Sequence, residues 1–553
     1  MKPKKVVVVG GVAGGASAAA RLRRLDEDMK IVLLERGEHI SYANCGLPYY
    51  IGGIIEDKED LLVQTPEDMR QRFNIDIRVN NEVLNIHADK KQVEVQNKIT
   101  GQKYLESYDK LILSPGAEPL RPPIPGIEGE NIFTLRNVRD TFRIADYIGE
   151  NKCSNAVVVG GGFIGLEMAE NLHHRGLSVT LVEMADQVMA PLDYEMAAII
   201  HGYLKTMGIE LILKDGVKAF GEEEGCVLVE LQSGTRLKTD LVILAIGVRP
   251  ETALAKGAGL DIGETGGIKV NKHLQTSNPH IYAVGDAVEV LDFINGSPAL
   301  IPLAGPANKQ GRIAANNICG IEDTYKATQG TSIVKLFDIT AASTGNNEKT
   351  LKKFNIPHQC CHIHSPSHAT YYPGASTMAI KLLFSPEDGQ VLGAQIVGHE
   401  GVDKRIDVLA TAIRGRMTVY DLQELELAYA PPYSSAKDPV NMAGYVASNT
   451  LMGHHPTIQW YEIDDLNKEQ TLILDTRTRE EYSMGAIPGS INIPVDELRQ
   501  NFDSIAHQKD KDIVVYCRSG QRSYIATRML MQKGFKNVRN LSGGYLTWSI
   551  AKK

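Results

Sequence analysis

The sequence predicts an α/β protein of several domains, and three observations predict it. The chain has 553 residues, which at about 150 residues per domain gives roughly three or four domains. A β-branched run, a glycine cluster, a helical segment and a second apolar run occur twice in that order. A fresh alternation of short apolar strands and helical stretches begins near Ile458.

Composition bounds the function. The 59 basic and 67 acidic residues give a net charge of -8, which argues against a nucleic-acid or anionic-membrane binder. A local basic pocket for one anionic ligand stays open. The seven cysteines are Cys45, Cys153, Cys226, Cys319, Cys360, Cys361 and Cys517. They are too few for a disulfide scaffold, and none forms a CxxC pair. Cys360, Cys361, His362 and His364 find no matching ligand spacing elsewhere, so no metal is expected. A reducing cytoplasm fits this cysteine usage. No apolar stretch approaches the roughly 18 residues a membrane span needs. MKPKK followed by VVVV imitates a signal peptide, but GGVAGG interrupts the apolar run and RLRRL follows it.

Lys5 to Val9 reads as a strand buried on both faces. Gly10, Gly11, Gly14 and Gly15 follow, then the helical ASAAARLRRL, then the strand IVLLE ending at Glu35. Glu35 stands 20 positions after Gly15, the spacing of a dinucleotide-binding βαβ unit. Val12 departs from the pattern at the second glycine position. Ala156 to Glu183 repeats the unit with Gly160, Gly162 and Gly165 all present. The glycines let a pyrophosphate approach the backbone at a helix N-terminus, and the terminal Glu suits ribose hydroxyls. Two dinucleotides are therefore expected. Thr239 to Pro250 and Ile281 to Ala287 read as further strands. Residues 331–445 mix strands and helices, and 446–456 reads as a linker.

Two nucleotide sites with a cysteine just after the first resemble the pyridine nucleotide-disulfide oxidoreductase superfamily over residues 1–445. The resemblance implies FAD at the first site and NADH at the second, with NADPH left open. IYAVGDA, with Asp286, is similar to the family's second FAD motif, whose Asp bonds the ribitol. LILSPGAEP, with Gly116, is similar to its crossing segment. The implied cofactor positions are Gly10, Val12, Ala13, Gly14, Glu35, Arg36, Ser41, Val83, Ser114, Gly116, Gly160, Gly162, Gly165, Glu183, Gly247, Asp286 and Ala304. The implied fold is α/β, with two Rossmann-like dinucleotide-binding domains, an α+β dimerisation domain and a C-terminal α/β domain. The expected boundaries are 1–150 and 249–325 for the FAD domain, 151–248 for the NAD(P)H domain, 326–445 for the dimerisation domain and 457–553 for the last.

Cys45 lies in SYANCGLPYYIGG. Dithiol members of the family carry a second cysteine five residues on, and Tyr50 stands there. The chain thus resembles the single-cysteine branch of coenzyme A-disulfide reductase, NADH peroxidase and NADH oxidase. Cys45 is expected as a redox nucleophile whose thiolate local charge and helix dipoles favour. AYAPPYSSAKDPVN (Ala428 to Asn441) and YYPG (Tyr371 to Gly374) are similar to coenzyme A-disulfide reductases. The resemblance implies a tyrosine pair, Tyr371 and Tyr429, lent to the partner subunit of a homodimer. It implies coenzyme A ligands at Arg24, Ser41, Asn44, Asn308 and Lys437. Phe73 replaces a basic residue expected there, and RLRRL reads equally as a solvated helix face. His455-Pro456-Thr457 imitates the terminal motif of dithiol members and is read as coincidence.

IVVYCRSGQRS (Ile513 to Ser523) resembles the active-site loop of rhodanese sulfurtransferases. LILDTRTREEY, with Asp475 and Arg477, and GAIPGSINIP resemble further rhodanese segments, although Ala486 stands where many relatives have His. Successive backbone N–H groups in such a loop form an anion nest, and Arg518 and Arg522 add charge. Cys517 is expected to carry sulfane sulfur as a persulfide. Together the resemblances imply NAD(P)H-dependent reduction of coenzyme A persulfide, polysulfide or coenzyme A disulfide by way of FAD and Cys45. The alternatives are an NADH oxidase or peroxidase cycling Cys45 through sulfenic acid, or a sulfur relay with vestigial reductase activity.

Overall fold

A computed structural model describes residues 4–552 apart from Lys468. The chain forms two compact units, residues 1–186 with 208–330 and residues 187–207 with 331–553.

The first unit holds two parallel five-stranded sheets. One runs in the order Ile281–Ala283, Lys110–Leu113, Lys5–Val9, Lys30–Leu34, Asp76–Arg78. Val6, Val8, Leu33 and Ile112 face one core, while Val7, Val9, Val32 and Leu113 face another. A strand buried on both sides reads as a continuous β-branched run rather than an alternation. The other sheet runs Glu210–Leu213, Ser178–Glu183, Asn155–Val159, Leu241–Leu244, Ile132–Phe133. In each sheet the first strand of the βαβ unit is central. Its own second strand lies on one side and a later strand on the other. That reversal opens a crevice at the C-terminal strand ends, where such sheets take ligands. Strand Ile281–Ala283 pairs with Lys110–Leu113, so the chain returns to the first sheet.

The second unit contains an antiparallel sheet in the order Ser332–Leu336, Ile339–Gly345, Val391–Gly398, Thr377–Phe384, Gln359–Pro366. Helices Val402–Arg414 and Pro439–Leu451 pack on it. A parallel sheet follows, ordered Thr457–Ile458, Asn537–Leu541, Asp512–Tyr516, Thr471–Asp475, Ile491–Asn492. It has its own cores, centred on Ile513, Val515 and Leu530 on one face and Val514 and Tyr516 on the other. Among the described residues no helix is long and apolar enough to cross a membrane.

Two expected boundaries move. Residues 446–451, expected as linker, are the last turns of helix Pro439–Leu451. Asp438 caps this helix by accepting from Val440 N at 2.9 Å. Val440, Ala443 and Ala447 are fully buried, and Asn441, Gly444 and Ser448 share their buried side, which disguises the stripe in the sequence. Residues 187–207, expected within 151–248, belong to the second unit. Asp193 and Glu195 reach Lys381 of the antiparallel sheet at 2.9 and 2.6 Å. A buried ammonium needs such partners, and no local pattern announces a pairing across almost 200 residues.

Candidate functional site

The two glycine loops share one geometry. Gly10 has φ +96° and Gly160 φ +106°, a region open mainly to glycine. A Cβ on Gly15 would collide with the carbonyl of Gly10, and one on Gly165 with that of Gly160. The first and third glycines are thus demanded by strand–helix packing. The second is not: Gly162 has φ -78° and no atom within 4 Å of where a Cβ would sit. Val12, at φ -98°, is tolerated for the same reason. Helices Ala13–Leu25 and Phe163–His174 both start without a side-chain cap. Their first N–H groups therefore point at an anion site.

Each loop is tied to its terminal acid. Glu35 accepts from Gly11 N and Gly37 N, both at 2.8 Å. Glu183 accepts from Gly161 N at 2.6 Å and Ala185 N at 2.8 Å. Each carboxylate keeps acceptor capacity for a ribose diol. The residues present fit two dinucleotides.

The other expected cofactor residues belong to the first unit. Ser114 N donates to Val9 O at 2.8 Å. Gly116 (φ +78°) and Gly247 (φ +113°) flank the antiparallel crossing of Ala117–Pro119 with Val248–Pro250. Asp286 lies in the turn Gly285–Ala287, where burial pushes its carboxyl up. Ala304 opens helix Ala304–Ile318, which lies so close to Ala13–Leu25 that a Cβ on Gly311 would strike the Gly14 carbonyl. Val83 is buried in strand Asn81–His87. Arg36 forms a two-pronged pair with Glu251, both bonds 2.8 Å, and Arg136 joins the same acid at 2.9 Å. No sequence motif marks Glu251, which lies between strand Val248–Pro250 and helix Ala253–Gly257.

Ser41, at φ +46°, donates its N–H to Gly11 O at 2.8 Å and so anchors the cysteine loop to the first glycine turn. Asn44, Cys45 and Gly46 form a 3-10 turn that leads into helix Leu47–Ile51. Tyr50 packs edge-on against Phe142 at 5.4 Å. Cys45 reaches solvent. Its thiol is pushed up rather than down, first by desolvation and then by the charges of Glu167 and Asp286. The expectation of a charge-favoured thiolate is therefore corrected, because the charged neighbours are carboxylates. Glu167 is itself pushed up to about 7 by burial and by Glu170.

The expected coenzyme A positions fall on both units. Arg24 is exposed in the last turn of Ala13–Leu25. The reading of RLRRL as a solvated face fails at Arg23, which is buried and donates to the carbonyls of Met29, Phe73 and Asn74. Asn308 bonds Ser17 across the two helices. In the second unit Lys437 is exposed beside Asp438. There Tyr371 and Tyr429 are brought together, hydroxyl to hydroxyl at 2.7 Å.

Cys517 follows strand Asp512–Tyr516 and is buried in the loop that leads into helix Gln521–Gln532. Its Sγ receives Gly520 N–H at 3.1 Å and the Ser523 hydroxyl at 3.4 Å. Gly520, at φ +105°, turns the loop into the helix. Arg522 is held by Glu481 through two bonds of 2.7 and 2.8 Å, so its charge is already paired. Arg518 stays exposed. Asp475 and Arg477 form a buried pair at 2.6 Å, and Arg477 also donates to Gly485 O at 2.7 Å, just before Ala486.

His455 is a packed imidazole against Tyr524, bonded to Asn540 at 2.6 Å and pushed down to about 4 by burial. Cys360, Cys361, His362 and His364 lie on strand Gln359–Pro366. The acids Asp193, Glu195 and Glu348 converge as a metal site would, and Lys381 Nζ supplies the cation at 2.9, 2.6 and 2.6 Å.

Residues 4–311 match the family described as pyridine nucleotide-disulphide oxidoreductase, 331–439 its dimerisation domain, and 461–551 the rhodanese-like domain. The crystal structure of "reduced Bacillus anthracis CoADR-RHD" is 55% identical, with a TM-score of 0.97, covering 100% of this chain and 98% of that one. A "NAD-Dependent Persulfide Reductase from A. fulgidus" is 39% identical, with a TM-score of 0.92, covering 98% and 100%. The "Coenzyme A disulfide reductase" of Staphylococcus haemolyticus is 38% identical over 445 residues, 80% of this chain and 99% of its own.

Proposed function

The chain belongs to the pyridine nucleotide-disulphide oxidoreductase family and carries a rhodanese-like domain, and on that premise we propose its reaction. It is an NADH-dependent, FAD-containing reductase of coenzyme A persulfide, polysulfide or coenzyme A disulfide, coupled to a sulfurtransferase module. The observation that carries this reading is the Cys45 turn. One solvent-reaching thiol is tied through Ser41 to the first nucleotide loop, and Tyr50 stands where a resolving thiol would be. Such a thiol must form its mixed disulfide with the substrate itself.

Cys45 as thiolate attacks the sulfur of coenzyme A persulfide bonded to coenzyme A. A Cys45–coenzyme A disulfide forms and hydrosulfide leaves. With coenzyme A disulfide the leaving group is coenzyme A thiolate. Bound FAD supplies the two electrons, drawn from NADH, that return Cys45 and coenzyme A to thiolates. Gly10, Gly15 and Glu35 shape the first cradle, and Gly160, Gly165 and Glu183 the second. In the last domain, the Gly520 N–H and the Ser523 hydroxyl stabilise a sulfur anion on Cys517, which carries sulfane sulfur to or from coenzyme A.

The dimerisation domain supports a homodimer, in which the Tyr371–Tyr429 pair serves the partner's Cys45. Seven free cysteines suit a reducing cytoplasm. Anaerobic NADH oxidation with coenzyme A persulfide, compared with oxygen and with peroxide, tests the reading. Faster turnover with oxygen or peroxide would move the assignment to an oxidase or peroxidase.

A further inference from the structure

We infer that His362, a residue of the antiparallel sheet, is a positioning residue for the Cys517 loop. The inference rests on reading Cys517 as the sulfur carrier.

The imidazole is buried between two partners. Nε2 lies 2.9 Å from Glu195 Oε1, and Nδ1 lies 3.1 Å from Ser542 Oγ. The His362 backbone N–H donates to the same Ser542 oxygen at 2.9 Å. Glu195 is held far below the usual carboxylate range by Lys381 and His362, against the cost of its burial, so it only accepts. Nε2–H therefore donates to Glu195, while the Ser542 oxygen accepts from the His362 backbone N–H and shares a second hydrogen bond with Nδ1. Ser542 is gripped from two sides by one residue.

Ser542 opens the segment that supports the cysteine. Gly543 and Gly544 follow at φ +72° and +62°. A Cβ on Gly543 would stand 2.8 Å from the Cβ of His362. A Cβ on Gly544 would stand 2.6 Å from Cys517 O and 2.9 Å from Arg518 O. The two glycines thus form a wedge with His362 on one side and the Cys517 backbone on the other. Beyond them, Tyr545 N–H donates to Cys517 O at 2.8 Å and Leu546 N–H to Arg518 O at 3.0 Å. His364 adds a second tie, Nε2 to Thr547 Oγ1 at 2.9 Å.

Where the Cys517 peptide is held decides how well its sulfur meets Gly520 N–H and the Ser523 hydroxyl. Such bonds weaken steeply with misplacement. The support comes from outside residues 457–552, through Glu195, Lys381 and His362.

The test uses the full-length, FAD-loaded enzyme. His362→Gln keeps a donor for Glu195 but loses Ser542, while His362→Asn does the reverse. His362→Gln and Ser542→Ala should each lower kcat for sulfur transfer from thiosulfate to cyanide roughly tenfold, with KM for thiosulfate within about twofold. Iodoacetamide alkylation of Cys517, followed on its peptide by mass spectrometry, should slow similarly. His362→Asn should recover most of both. NADH-linked reduction of preformed coenzyme A persulfide should stay within about twofold in all three. Equal losses in His362→Asn and His362→Gln, or no loss in His362→Gln and Ser542→Ala, overturn the inference. A wild-type enzyme that transfers no sulfur overturns the reading of Cys517 instead, and the alkylation rates then decide for or against His362.

Discussion

Tyr371 and Tyr429 share a hydrogen bond of 2.7 Å between their hydroxyl oxygens, across 58 residues of sequence. Both rings face solvent, at 74% and 47% exposure, so burial does not explain the contact. One phenol donates to the other, and the acceptor's own O–H remains available to a third group. The bond also raises the Tyr371 pKa, with Tyr429 the first cause.

A phenol so placed suits protonation of a departing thiolate. Losing a hydrogen bond to a developing thiolate costs about 1.5–3 kcal/mol, roughly ten- to a hundredfold in rate. Tyr371→Phe and Tyr429→Phe should each slow S–S cleavage by that factor and leave flavin reduction by NADH near normal in stopped flow. Mixing Cys45→Ser and Tyr429→Phe subunits should produce heterodimers with one unimpaired site. Mixtures no more active than their parents would place the tyrosine's action within its own subunit or nowhere.

Glu183 sets the nicotinamide preference. Its carboxylate is fixed by Gly161 N and Ala185 N, and neither Met184 nor Ala185 brings a cation. A 2′-phosphate would meet an anchored negative charge. NADH should therefore have the higher kcat/KM, and equal efficiency with NADPH would contradict this.

The two reactive thiols should separate cleanly. Cys45→Ser should abolish NADH-linked S–S reduction and leave thiosulfate sulfurtransfer. Cys517→Ser should do the opposite toward preformed coenzyme A persulfide. If Cys517→Ser stops that reduction, the two centres are obligately coupled.

Cys45 is held up partly by Glu167, which titrates near 7. Above that pH the carboxylate is charged and disfavours the thiolate; below it the group is already neutral. Glu167→Gln should speed alkylation of Cys45 about threefold or more at pH 8, with the gain shrinking toward pH 6. A pH-independent ratio would assign the effect to packing.

Lys381 should govern the acid stability of the second unit. Glu348 is lowered from 4.5 to about 2; burial opposes this shift, and Lys381, Lys352 and Tyr461 drive it. Its contribution is therefore complete above about pH 4.5 and is lost as pH falls toward 2. Lys381→Met should destabilise the fold at pH 7 by about 3–5 kcal/mol, because three buried carboxylates lose their cation. The sign should then reverse, with stability rising as pH drops from 7 to 5. Thermal unfolding across pH reads both, and parallel profiles for the two proteins would show that Lys381 does not carry the effect.

Much of the site was legible because its signals are local. A βαβ unit ending in Glu35 or Glu183, a glycine whose Cβ would strike its own loop, and a cysteine opening an anion nest all lie within about 30 residues of chain. The end of helix Pro439–Leu451 reads as linker because small and polar residues, Gly444 and Ser448 among them, form part of its buried side. Arg23 was misjudged because its partners are backbone carbonyls of Phe73 and Asn74, which leave no mark in a sequence.

The sequence by itself determined the two nucleotide cradles, the lone Cys45, the Cys517 loop and the candidate tyrosines, since each depends on backbone geometry or on residue identity over short spacings. Only the tertiary structure decided how charge and support are distributed around them. It put Glu167 and Asp286 rather than cations near Cys45, gave the Arg522 charge to Glu481, and assembled Asp193, Glu195, Glu348, Lys381 and His362 into one buried network. The reason is physical. Electrostatic shifts and buried hydrogen bonds depend on distance and desolvation in space, and both are set by packing between segments hundreds of residues apart.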